Sequence, residues 1–119
     1  MTKSLYERLG GPVAVRKLAR DIVHLHLQNE LIRTRFEASN PEELINHVAN
    51  FIGAGTGGAE SYTGRDMPTA HKGMNINEQE FMSVIDDAMD ALEKNGIDDA
   101  TRNEVLAILW SMRREVLRV

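Results

Sequence analysis

Cysteine is absent from the 119 residues. Disulfides, thiolate metal sites and thiol nucleophiles are thereby excluded. Aromatic side chains make up only 5% of the chain. The core is therefore aliphatic, or is completed by something that is not protein. No stretch approaches the roughly 20 apolar residues of a membrane span. The opening run Met1-Thr2-Lys3-Ser4-Leu5-Tyr6-Glu7 has no apolar signal core. No basic run occurs either, and the net charge of −4 is spread over mixed signs, which argues against nucleic acid. The expectation is a soluble cytoplasmic protein with no membrane or nucleic-acid partner. The length favours a single domain over residues 1–119. Such a domain buries roughly two-thirds of its unfolded surface.

What is present reads as helix. Ser4-x-x-Glu7 has the form of a capping box. Gly10-Gly11 stops that short helix, and Pro12 suits the first turn of the next. From Val13 to about Gln28, Val15, Leu18, Ile22 and Leu25 recur at helical spacing, with Val23 beside them and Arg16, Lys17, Arg20 and Asp21 opposite. Leu31, Ile32 and Phe36 anchor a segment of short turns. Asn40, Pro41, Glu42 and Glu43 cap and charge a further helix start. Leu44, Val48, Phe51 and Ile52 form its apolar stripe. His47 lies roughly 60° from Leu44 and close to Phe51 in azimuth, which points it to the buried side.

Five of the nine glycines fall at positions 53, 55, 57, 58 and 64. Each interior glycine costs a helix ~1 kcal/mol relative to alanine, so this stretch is expected to be loop. Asp66-Met67-Pro68 reads as the start of a short helix that carries His71, with Gly73 ending it. Asn77-x-x-Glu80 is a second capping box, opening a helix with Phe81, Val84, Ile85, Ala88, Met89 and Leu92 on one face. Asn95-Gly96 closes it. Asp98 caps a last helix to about Leu117, with Val105, Ile108, Leu109, Met112 and Val116 on its apolar face. The fold class is all-α.

Taken singly, the candidate chemical groups have bland readings. His71 beside Lys72 suits a surface position, and His47 suits a core histidine bonded to a carbonyl. Structural zinc takes four ligands and catalytic zinc usually three. His24 and His26 diverge by about 160° on a helix and cannot chelate together. Gly55-Thr56-Gly57-Gly58-Ala59 lacks the Lys-Ser/Thr end of a phosphate loop. Asp86, Asp87 and Asp90 read as a solvated face, and the methionines as core fillers. Trp110 suits packing or an oligomer contact.

Taken together, the motifs carry a resemblance. Ser4-Leu5-Tyr6-Glu7-Arg8-Leu9-Gly10-Gly11, Phe36, Gly57-Gly58, Tyr62-Thr63-Gly64-Arg65-Asp66-Met67 and Ala70-His71-Lys72-Gly73 make the chain resemble a group I truncated haemoglobin over nearly its whole length. The resemblance implies a two-over-two helical sandwich around non-covalent haem b. His71 would be the proximal iron ligand. Phe36 would pack on the haem face. Leu44, Val48, Phe51, Met67, Ile76, Phe81 and Val84 would line the pocket.

The sequence also departs from that family. Many members carry a tyrosine thirteen residues before the haem-packing phenylalanine, where this chain has Val23. A glutamine often assists from the helix after the bend, where this chain has Leu44 and Val48. His47 matches the position of a histidine that binds iron from the distal side in some members, cyanobacterial ones among them. The implied site is six-coordinate, with His71 and His47 both on the metal. The rival role for His47 is a solvent-facing contact with a haem propionate. No histidine lies beyond His71, so the covalent haem link of some relatives is not expected.

Two functions of different class follow. One is a haem protein that binds oxygen, nitric oxide or carbon monoxide and detoxifies nitric oxide or reactive nitrogen species. Its activity would be of nitric oxide dioxygenase type, with an unidentified reductase as electron donor. The alternative is an electron-transfer or redox-sensing haem protein without tight oxygen binding. A helical protein that has lost haem is a third, bland reading.

Overall fold

The computed structural model describes residues 4–57, 76–111 and 113, and the side chain of Ala54 lies outside that set. The described residues form helices and turns, with a single bridge residue at Ile76 as the one extended pairing among them. The helix α1 spans Leu5–Arg8, and both halves of the Ser4–Glu7 capping box are made. A longer helix, α2, runs Gly11–Gln28. Between them Gly10 sits at φ 109°, where a Cβ would lie 2.5 Å from that of Ala14. Only glycine fits there.

The chain then turns through a 3-10 segment, Arg33–Arg35. Ile32 is buried, whereas Leu31 is exposed. The helix α3 spans Pro41–Gly55, and the Asn40 side chain accepts from the amides of Glu42 and Glu43. It therefore runs through Gly53 and Gly55, against the expectation of loop. Tertiary packing explains the difference. A Cβ on Gly53 would sit 3.8 Å from the Tyr6 ring, and one on Gly55 3.9 Å from Ile108, so α1 and the last helix close on this end. The Tyr6 amide also donates to the Thr56 carbonyl at 2.9 Å. The remainder of the glycine-rich stretch and the expected helix from Asp66 lie outside the described residues.

The helix α4 spans Glu78–Lys94 and opens on the Asn77–Glu80 capping box. It ends in a Schellman arrangement. The Ile97 amide donates to the Leu92 carbonyl and that of Gly96 to Glu93, with Gly96 at φ 75°. The last helix, α5, covers Asp99–Ser111. Met82 and Trp110 are exposed, which corrects the assignment of every methionine to the core. Trp110 lies 6.2 Å from Phe81, centroid to centroid.

The helices pack as two pairs, α2 with α3 and α4 with α5, and α2 also meets α4. This is the expected all-α, two-over-two arrangement. Leu9, Val15, Leu18 and Ile22 join Ala88, Ala91 and Leu92 in the main core. Ile76, Phe81 and Ile85 form a second cluster, with Leu106 and Leu109 against it. A third cluster joins Ala19 and Val23 of α2 to Ile45 of α3. Arg8 of α1 pairs with Glu104 of α5. No helix among the described residues is long and apolar enough to cross a membrane.

Candidate functional site

The helix α3 has two apolar sectors. Ile45 is buried against α2, and Ile52 packs beside it on the main core. At about 100° per residue, Leu44, Val48 and Phe51 fall within roughly 60° of one another; Leu44 and Phe51 stand about 80–120° from Ile45 and Ile52, and Val48 lies between, about 40–60° from them. All three are half-buried. The stripe read from the sequence omitted Ile45 and merged the two sectors. It also placed His47 on the buried side, whereas His47 is exposed. The reason is azimuth. His47 stands about 160° from Ile45, so the face that meets α2 turns it away. It remains next to Leu44 and Phe51, at the outer edge of the second sector. Among the described residues it has no hydrogen-bond partner.

Val23, Leu44 and Val48 share one apolar cluster. Val23 is 1% exposed and belongs to the third cluster. Leu44 and Val48 pack against that same cluster. The three positions that depart from the family pattern therefore fall in and around one apolar cluster. None of these side chains can donate a hydrogen bond.

Of the other expected pocket residues, Phe36 and Val84 are half-buried. Ile76 and Phe81 are buried together with Ile85. Met67 and His71 lie outside the described residues.

Sequence reasoning missed a polar network behind Phe36. His26 is 5% and Asp87 9% exposed, so Asp87 is not part of a solvated face, although Asp86 and Asp90 are exposed. His26 Nδ1 and Asp87 Oδ2 are 2.7 Å apart. Asn29 Nδ2 donates to the same Oδ2 at 3.1 Å and to Ser83 Oγ at 2.6 Å. An oxygen that takes two such groups is an acceptor, which puts the imidazole proton on Nδ1. Burial pushes the His26 imidazole below its ordinary value, while Asp87 works in the opposite direction. The His26 ring stacks on Phe36 at 5.2 Å and 17°. Beside it Arg35 makes a two-pronged pair with Glu80, with Nη2 to Oε1 at 2.9 Å. That pair holds the Glu80 carboxyl below its usual range. A signal for His26 was present in the sequence, because it lies four residues after Ile22 on the buried stripe. His24, two positions before it, is exposed, as the divergence on a helix requires.

The group implied by the resemblance is a flat, largely apolar macrocycle that holds an iron. The described residues fit it. The second sector of α3 is apolar and incompletely covered by protein, with an imidazole at its edge. Half-buried Phe36 and Val84 add apolar surface from two other segments.

Comparison with known proteins agrees. The bacterial-like globin family matches this chain over residues 4–118. A group 1 truncated haemoglobin of Tetrahymena pyriformis is 27% identical over 115 residues, which is 97% of this chain and 95% of that relative. The crystal structure of the truncated haemoglobin from the same organism, in its Fe(III) form, superposes with a TM-score of 0.94 at 26% identity, covering 98% of this chain and 100% of that one. The 2/2 haemoglobin of Synechococcus sp., solved in the cyanomet state with covalently attached haem, gives a TM-score of 0.90 at 24% identity, covering 97% and 98% of the two chains.

Proposed function

The chain belongs to the bacterial-like globin family, as a truncated haemoglobin that binds haem, and from that premise we propose that it holds haem b non-covalently between His71 and His47 and turns over small diatomic ligands. The observation that carries the reading is the half-buried apolar sector of Leu44, Val48 and Phe51, backed by the cluster that holds Val23, with His47 at its edge. Bound haem supplies an iron that takes diatomic ligands and exchanges one electron. The chain supplies the rest. His71 would hold the iron, and Phe36 and Phe51 would hold the ring by apolar contact. Segment 99–119 contains no histidine, which supports non-covalent retention.

The apolar distal surface leaves a bound ligand without a donor from Val23, Leu44 or Val48. Tight oxygen storage needs such a donor, so the pocket does not suit storage, and the same lack weakens the hold on oxygen during turnover. With His47 as a second ligand, its imidazole would compete with an incoming diatomic for the iron. The apparent affinity of that diatomic then falls by the fraction of molecules that are open. The proposed chemistry is removal of nitric oxide or related reactive nitrogen species, with electrons from a separate reductase.

The exposure of His47 favours a second reading, in which its imidazole meets a haem propionate. Absorption spectra of the ferric and ferrous protein, beside His47→Ala, separate the two. Axial ligation gives a low-spin six-coordinate wild type and a high-spin or water-bound variant. Unchanged spectra in the variant take His47 off the iron. The nitrogen chemistry is tested by mixing nitric oxide with the reduced, oxygen-equilibrated protein. Stoichiometric nitrate is expected, and its absence removes that activity.

A further inference from the structure

Glu80, Ser83 and Asp87 lie within roughly 60° of one another on α4. Each engages a side chain from the end of α2 or the turn that follows. Asp87 takes His26 and Asn29, Ser83 takes Asn29, and Glu80 takes Arg35. The two outer contacts converge on one residue. His26 stacks on the Phe36 ring, and Arg35 is its neighbour in the chain.

We propose that His26 and Asp87 are positioning residues for Phe36, fixing the plane of its ring against the flat ligand. The inference rests on the haem reading above and adds residues to it. An imidazole on a helix can turn about two side-chain torsions. The bond from Nδ1 to Asp87 removes that freedom. Asp87 is itself held, because Asn29 donates to the same oxygen. The pair is buried, so water does not compete for these bonds. An aliphatic side chain at position 26 would fill the space but could not set an angle. The imidazole can, and the 17° between the rings passes its plane to Phe36. Burying polar groups where aliphatic ones would pack carries a desolvation penalty. Fixed geometry at the ligand face is what the network offers in return.

The test uses the full chain reconstituted with haem. In one variant His26→Leu and Asp87→Leu are combined, since replacing both partners by apolar groups of similar size can leave stability nearly unchanged. In the other, Asp87→Asn keeps an oxygen that can accept from Nδ1. Two quantities are read: the rate of haem transfer to an excess of apomyoglobin, and the hyperfine-shifted proton spectrum of the ferric cyanide form, where the Phe36 ring protons report its tilt. The double variant is expected to melt near the wild type yet to lose haem about tenfold faster, the low end for partners that orient a ligating group, with displaced Phe36 resonances. Asp87→Asn is expected to restore both. Wild-type haem loss and unshifted Phe36 protons in the double variant overturn the proposal while leaving the haem reading intact. A wild-type chain that gains no Soret band on reconstitution overturns that reading, and the proposal with it. If the double variant does not fold, Asp87→Ala against Asp87→Asn decides by the same two quantities.

Discussion

Buried at 5% exposure, the His26 imidazole resists taking a proton, and its folded value lies below the ordinary 6.5. In the unfolded chain it protonates near 6.5. Between those two values the unfolded state binds more protons, so stability falls as the pH falls below about 6.5. The slope for one proton is at most about 1.4 kcal/mol per pH unit. Asp21, Glu80, Asp98 and Glu104 are all depressed from ordinary values of 3.8 or 4.5. Their contributions are present above those values and are lost only in stronger acid, which keeps the histidine window separate. Denaturant titrations of the haem-free protein near neutral pH and at about pH 5.5 should show the loss, and His26→Gln should flatten it. Val23 gives a second prediction at this scale. It is packed against Ala19 and Ile45 with 1% exposure, so Val23→Tyr overpacks the cluster and should destabilise the haem-free fold by about 1–3 kcal/mol. Equal denaturation midpoints for the two proteins would show room that the packing denies. His26 and Asp87 were hard to read because periodicity scores apolar residues. A polar pair satisfied across sixty-one positions leaves no local mark on either helix.

Helix ends are the elements most plainly written in the residues. Ser4, Asn40 and Asn77 all cap as their spacing with the following glutamates suggests, because the bonds involved span only two or three residues. The end of α3 was misread for the opposite reason. Gly53 and Gly55 weaken a helix locally, and it takes Tyr6 and Ile108, distant in sequence, to hold it. Two other glycines allow a controlled comparison. Gly96 has φ 75° and nothing within 4 Å of where a methyl would sit, so Gly96→Ala should cost about 1 kcal/mol of backbone strain alone. Gly10 combines φ 109° with a contact of 2.5 Å to the Ala14 Cβ. Gly10→Ala should therefore lower the thermal midpoint clearly more than Gly96→Ala, and the reverse order would remove the steric argument.

At the scale of the molecule, the four longer helices form a sandwich whose third cluster is small. Ala19, Val23 and Ile45 join α2 to α3, while a neighbouring apolar sector of α3 remains half covered. A ligand that binds only the folded chain adds stability by mass action, about 2.7 kcal/mol at a hundredfold excess over its dissociation constant. Haem reconstitution should accordingly raise the thermal midpoint by roughly 10 °C, measured by circular dichroism on the same preparation with and without haem. The sandwich and most of its core were legible because each long helix carries its own stripe. The candidate site was legible only in part, since the α3 residues proposed for it lie beside those that build the core, and azimuth had to be judged before any partner was known. That sector has one more consequence. On the proposed reading, α3 is secured by protein on one side and by haem on the other. Its backbone amides should therefore exchange with deuterium faster than those of α2 in the haem-free chain, and slow towards them on reconstitution. The helix nearest the chemistry would then be the last to become rigid, and its exchange rate would measure haem occupancy in a sample without reference to colour.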